Sequence, residues 1–208
     1  MYDHSAQIPA PDAQTRQPLW LWGLSLVWVL AIGGGLSVVW AFDNTPGVAG
    51  SAPARWPSDA HLARAEDRPT LVLLAHPQCS CTRATLAELA EVLARAANRP
   101  KTYVLFLKPF GFAQDWEKTD LWQSAASLPD VTVIRDDEGV EASRFGALTS
   151  GETVLYDTEG ALRFSGGITG ARGHAGDNAG RASLLDALNH GRSQREQTAV
   201  FGCPLFAI

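Results

Sequence analysis

The sequence has no run of basic residues, and its 17 Lys and Arg are outnumbered by 22 Asp and Glu, for a formal net charge of -5. A chain of that balance is not built to neutralise a phosphate backbone, so nucleic acid is not an expected partner. No repeated period stands out. No glycine-rich loop follows a strand at the spacing that cradles phosphate, no Ser, His and Asp fall at a spacing that supports a hydrolytic triad, and no heme or flavin site is visible. Cysteine is scarce at three in 208 residues, yet two of the three stand one residue apart, in His76-Pro77-Gln78-Cys79-Ser80-Cys81.

Charge is missing altogether between Arg16 and Asp43. The core of that stretch, Leu19 to Trp40, is long enough to cross roughly 30 Å of hydrocarbon at about 1.5 Å per residue. Trp20 and Trp22 stand at one end and Trp40 at the other, where amphipathic rings prefer the interface. Gly33-Gly34-Gly35 weakens helix propensity, but lipid penalises open backbone enough to keep a helix there. A cleaved signal peptide would carry an apolar region of about 7–15 residues and a small-x-small cleavage site. This stretch is longer and no such site follows Trp40, so an uncleaved anchor is expected. Arg16 precedes the span while Asp43 and Asn44 follow it, which favours the N-terminus inside and the bulk of the chain outside. In a bacterium that side of the inner membrane is the periplasm, where cysteine pairs can cycle through disulfides. Asn44 to Pro57, rich in Gly, Pro, Ala and Ser, reads as a flexible tether.

From Trp56 onward strands and helices alternate. Leu71 to Ala75 is a continuous apolar run, suited to a strand covered on both faces. Leu86, Leu89, Ala90, Leu93 and Ala97 recur at helical spacing, with Glu91 and Arg95 paired on the other side. Tyr103 to Leu107 is a second buried strand. Gln114 to Ser127 is expected to be a helix carrying Trp116 and Trp122. Val131 to Ile134 is a third strand, followed by a turn and a short helix from Val140 to Phe145. Thr153–Asp157 and Ala161–Ser165 flank Thr158-Glu159-Gly160 as a hairpin. A last helix, Ala182 to His190, stops at Gly191, with Asp177 or Asn178 as its cap. Glu88, Glu91 and the acidic turn Asp136-Asp137-Glu138 read as solvated faces. The fold class is α/β: a central mixed sheet with helices on both faces, preceded by one transmembrane helix.

Cys79 and Cys81 sit where the first buried strand gives way to its helix. A thiol there faces unpaired backbone N–H groups and the positive end of the helix dipole, both of which favour the thiolate. A disulfide between residues two apart needs a kinked backbone and is strained, which suits transient oxidation or isomerisation. The β-α-β-α-β-α-β-β-α order, with cysteines after the first long strand, resembles the thioredoxin superfamily, and in particular bacterial membrane-tethered thioredoxin-like and peroxiredoxin-like proteins. The resemblance covers about Trp56 to Arg192. It implies that Cys79 is the attacking cysteine, and that Phe145-Gly146 with the following hairpin carries the family's cis-proline loop. The second cysteine of the family's CxxC falls at Thr82, Cys81 is one position early, and the cis-proline position falls at Gly151, after Ser150.

The expected organisation is a cytoplasmic tail at 1–18, a transmembrane helix at 19–42, a linker at 43–57, a thioredoxin-like domain at 58–192 and a terminal segment at 193–208. Cys203 lies in that last segment, where apolar neighbours would dock it and Gly202 and Pro204 would fix its backbone. If the segment folds back, Cys203 can resolve a bond on Cys79 or Cys81. The glycine-rich stretch Gly166 to Asn178 either simply connects hairpin to helix or sets Arg172 and His174 beside the cysteines. The expected activity is thiol–disulfide exchange catalysed by Cys79, Cys81 and Cys203, with Ser150 and Gly151 lining the substrate groove. No cofactor is required, and the partners are protein thiols or disulfides in the periplasm. The alternative is copper or zinc binding through Cys79, Cys81, Cys203 and His174.

Overall fold

A computed structural model describes residues 18–192 and 195–206. All but the last residue of the expected 1–18 tail lies outside these, as do residues 193–194 and 207–208 of the terminal segment. The chain divides into two units, 1–40 and 41–208. The first unit holds most of helix α1, Leu19–Asn44, which buries none of its side chains and is long and apolar enough to cross a membrane. Its triple glycine stays helical, and the Ser37 hydroxyl donates to Gly33 O at 2.8 Å, so this polar side chain is satisfied within the helix itself.

The second unit is built on strands β1 (Thr70–Ala75), β2 (Lys101–Lys108), β3 (Val131–Asp137), β4 (Glu152–Tyr156), β5 (Leu162–Gly166) and β6 (Gln197–Thr198). They form one sheet in the order β3-β2-β1-β4-β5-β6. β1 runs parallel to β2 and β2 to β3, whereas β4 is antiparallel to both β1 and β5. Strand alternation sorts the side chains into two cores. Leu71, Leu73, Val104, Phe106, Leu155 and Phe164 pack under helices α2 (Ser80–Arg95), α3 (Asp120–Ala126) and α5 (Ala179–His190). Val72, Leu74, Leu105, Val154 and Tyr156 pack on the opposite face with Phe145, beside the short α4 (Val140–Arg144), and with Trp56 and Leu205. Helices therefore cover both faces, as the alternation of elements implies.

Four local expectations need correction. Only Asp120–Ala126 of the expected 114–127 helix is helical. Asp115 takes a positive φ of 64°, and Thr119 is extended at the N-cap, which stops helix propagation backwards. Trp116 instead packs edge-on against His76 and tilted against Phe112. Glu88 is not solvated: it is buried on α2, receives the Gly176 N–H and pairs with Arg181 Nη1 at 2.8 Å. Asp136 is also buried, and its two carboxylate oxygens accept the Glu141 and Ala142 N–H groups at 2.9 Å each, starting α4. Burial pushes its carboxyl above the ordinary value despite those bonds.

The fourth correction concerns the tether. Residues 45–57 run across the domain rather than swinging free. Gly47 N–H donates to Val200 O, Thr149 Oγ1 to Val48 O, Ser51 N–H to Gly146 O and Trp56 N–H to Gly160 O, all within 2.8–2.9 Å. Composition rich in Gly, Pro and Ala leaves a segment free only when no sheet edge or loop offers partners for its backbone.

The Glu88–Arg181 pair is almost wholly desolvated, so losing one partner strands the other. Arg181→Met is expected to cost about 3 kcal/mol of unfolding free energy. The double variant Arg181→Met/Glu88→Leu should lose much less, as read from denaturant midpoints of the full chain in detergent.

Candidate functional site

The site is assembled where β1 ends. Cys79 is the N-cap residue of α2, in extended conformation, and the run from His76 to Cys79 is a turn closed by Cys79 N–H to His76 O. Thr82, in the position of the second cysteine of a CxxC, ties this turn down: its hydroxyl donates to His76 O and lies 3.0 Å from Ser150 Oγ. Ser150 Oγ in turn accepts the His76 N–H at 2.8 Å. Both hydroxyl side chains are fully buried. Ser150 is thus a staple between the cysteine turn and the loop before β4, and Thr82 is a site residue that composition gave no reason to single out.

Gly151, next in the chain, has φ +93° and donates its N–H to Leu74 O at 2.7 Å. A left-handed backbone there favours glycine, and a Cβ would meet Thr85 Oγ1 at 3.1 Å. No peptide bond among the described residues is cis.

Onto this strip comes the end of the chain. Ser150 N–H donates to Cys203 O at 2.8 Å, and Leu205 N–H to Leu148 O at 2.9 Å. Thr149 and Pro204 form the antiparallel bridge between these bonds. Val200 and Leu205 are buried on either side of the cysteine. The result sets Cys203 Sγ 2.8 Å from Cys79 Sγ, across 124 residues of sequence. Gly202 is the residue that allows it, because a Cβ there would sit 1.8 Å from Ser150 O.

Arg172 holds the same segment from the other side. Its Nη1 donates to Gly202 O at 2.5 Å, its Nε to Thr45 O at 3.2 Å and its backbone N–H to Asp43 O at 2.9 Å. The structure therefore places Arg172 beside the cysteines. His174 is exposed and its Nδ1 donates to Arg172 O at 2.7 Å, so that nitrogen is committed to its own loop. Among the described residues no group of three or more His, Cys, Asp or Glu side chains is arranged to hold a metal ion.

No protein-family model matches the sequence, and no curated protein matches it. Solved structures do. An uncharacterized conserved protein from Geobacillus kaustophilus aligns at 17% identity over 79% of this chain and 93% of that chain, with a TM-score of 0.53. A hypothetical protein from Sinorhizobium meliloti 1021 aligns at 19% identity over 77% of this chain and 97% of that one, with a TM-score of 0.54. A pneumococcal exposed lipoprotein thioredoxin from Streptococcus pneumoniae aligns at 16% identity over 59% and 84%, with a TM-score of 0.43. At these identities the likeness concerns fold alone. The sheet order and the cysteine turn between β1 and α2 decide the architecture. The fold is thioredoxin-like.

Within this thioredoxin-like domain the three thiols are electrostatically unequal. Burial pushes the Cys79 thiol up, but the Cys203 thiol and the amides of Cys203, Cys81 and Thr82 outweigh it and hold Cys79 below the ordinary 9.0. Cys81 is raised, by burial first and then by negative charge on Cys79, against the opposing Gly173 amide and Arg172. Cys203 is pushed up to about 12, by burial first and then by Cys79, of which it becomes the hydrogen-bond donor. One sulfur is set up to carry the charge and two to keep their protons. His76, half buried against Trp116, is lowered by that burial and so favours the neutral ring.

Beneath the strip lies Glu152, buried, with its Oε2 accepting the Leu148 N–H at 3.2 Å. Burial raises it from 4.5 to about 7.

Two outcomes are expected. The alkylation rate of Cys79 should rise with a midpoint below that of a free cysteine thiol, about 8.5, and Cys203→Ala should move that midpoint upward, since it removes a donor to the thiolate. Glu152 binds its proton more tightly folded than unfolded, so its contribution to stability is present at low pH and is lost as pH rises from about 4.5 to about 7. Glu152→Gln should flatten the melting temperature over that window.

Proposed function

We propose that the chain is a membrane-anchored thiol–disulfide oxidoreductase whose domain works outside the cytoplasm, with Cys79 as nucleophile and Cys203 as the thiol that resolves it. The observation that carries this reading is the 2.8 Å approach of Cys203 Sγ to Cys79 Sγ, with the charge favoured on Cys79. The orientation rests on the apolar helix and on the placement of Arg16 before its uncharged stretch and Asp43 at its far end.

In the reductive direction, the Cys79 thiolate attacks one sulfur of a protein disulfide. A Cys79–substrate bond forms, the substrate S–S bond breaks, and the leaving sulfur departs as a thiolate that takes a proton from water. Cys203 then loses its proton and attacks Cys79 Sγ, forming the Cys79–Cys203 disulfide and expelling the second substrate thiolate, which is protonated in turn. Two electrons have moved from the cysteine pair to the substrate, and a dithiol reductant returns the pair to its starting state. Run backwards, the same steps oxidise a substrate dithiol. Cys81, beside Cys79 and supported by the Gly173 amide, is the second thiol able to resolve the mixed disulfide.

A copper or zinc site made of Cys79, Cys81, Cys203 and His174 draws less support, because among the described residues these side chains do not converge as a group that could hold a metal ion.

The test is disulfide mapping and trapping on the full chain in detergent. Mild oxidation should link Cys79 to Cys203. Challenged with a model peptide disulfide, Cys203→Ser/Cys81→Ser should accumulate a mixed disulfide on Cys79, and Cys79→Ser should accumulate none. No linkage among the three cysteines, with about one equivalent of copper or zinc bound and lost in Cys203→Ser, would overturn the exchange reading.

A further inference from the structure

The segment that brings Cys203 to Cys79 also occupies the groove in which a substrate polypeptide would have to lie. The strip Leu148–Ser150 offers one carbonyl and one N–H to an incoming strand, and both are taken, by Leu205 N–H and Cys203 O. Arg172 Nη1 grips the carbonyl of the residue before the cysteine. Leu205 fills an apolar seat among the side chains of the α4 face, two residues after the cysteine. The residue before the cysteine lies so close to Ser150 O that a Cβ would approach it to 1.8 Å. These contacts read a short sequence: no side chain, then cysteine, then any residue without need of an N–H (here Pro204), then an aliphatic group.

We propose that the 200–206 segment is an internal stand-in for a polypeptide client, and that the client is an extended strand carrying glycine directly before its reactive cysteine and an aliphatic residue two positions after it. The client adds antiparallel to Leu148–Ser150, as strands add to exposed edges elsewhere, and it can do so only after the segment has left. The two compete for one set of hydrogen bonds. Once the client is joined to Cys79, return of the segment both displaces the client backbone and delivers Cys203 to the Cys79 sulfur. Resolution and release are then one event. This specificity rests on the exchange reading for its chemistry, but the recognition itself needs no sulfur.

The test therefore omits sulfur. A fluorescent peptide with the chain's own sequence from Thr198 to Phe206, with serine in place of cysteine, is titrated against the full chain in detergent. Gly202→Ala evicts the segment while keeping its apolar side chains. Should that variant melt early, the chain ending at Thr198 serves in its place. The peptide is expected to bind the evicted protein at least tenfold more tightly than the unaltered one. A second peptide, with alanine in place of its glycine, is expected to bind the evicted protein at least tenfold more weakly than the first. Equal binding to the evicted and unaltered proteins, or equal binding of the two peptides, overturns the proposal and leaves the thiol chemistry standing. Failure of Cys79 to form mixed disulfides, with peptide binding as expected, overturns the chemistry and leaves the recognition standing.

Discussion

The antiparallel pairing of residues 203–205 with 148–150 is the constraint on which the rest of the site depends. Two backbone hydrogen bonds of 2.8 and 2.9 Å fix where Cys203 can be, and from them follows the contact between its sulfur and that of Cys79. A side-chain contact across 124 residues would be loose if it relied on apolar packing alone. Backbone pairing gives it a register, because a slip of one residue would turn the cysteine away from the site and Leu205 out of its seat.

Register then sets chemistry. Three thiols confined in one place cannot all ionise, because each charge opposes the next in a medium that screens it poorly. The Cys203 thiol and amide, with the amides at the start of α2, single out Cys79 to carry the charge, and the other two sulfurs are pushed towards protonation. It is Cys203, from a distant segment, whose sulfur meets that of Cys79 at 2.8 Å. Cys81 stands at the edge of that pair, under the Gly173 amide.

The strip itself needs support, and three elements supply it. Ser150 and Thr82 pin it to the cysteine turn through buried hydroxyls. Glu152 holds the Leu148 amide from below. The loop from Gly166 to Asn178 is locked by Glu88 through the Gly176 N–H and Arg181, and this steadies Arg172 where it grips Gly202 O. The buried ion pair that looks remote from the sulfurs is in this way part of how the chain's end is held.

The apolar span, the strand–turn–helix around Cys79, the hairpin and the last helix with its Asn178 cap were legible in the sequence, because each is dictated by local periodicity or a capping residue. Gly202 and Pro204 beside Cys203 marked a segment with a fixed backbone. Glu88 and Asp136 were misread as solvated, since a carboxylate gives no sign in sequence that its partner is an arginine 93 residues away or the first amides of the next helix. Read from sequence, the polar, aromatic stretch from Gln114 to Ser127 puts Trp116 and Trp122 on one helix. Only the packing of the Trp116 ring on His76 and the backbone turn at Asp115 say otherwise. By itself, then, the sequence determined which cysteine stands at a helix start and that a helix apolar and long enough to cross a membrane precedes it, for both are properties of contiguous residues. Which thiol faces Cys79, and what lies in the groove beside it, was decided by tertiary structure alone, because strand pairing between distant segments depends on unsatisfied backbone groups that no residue type announces.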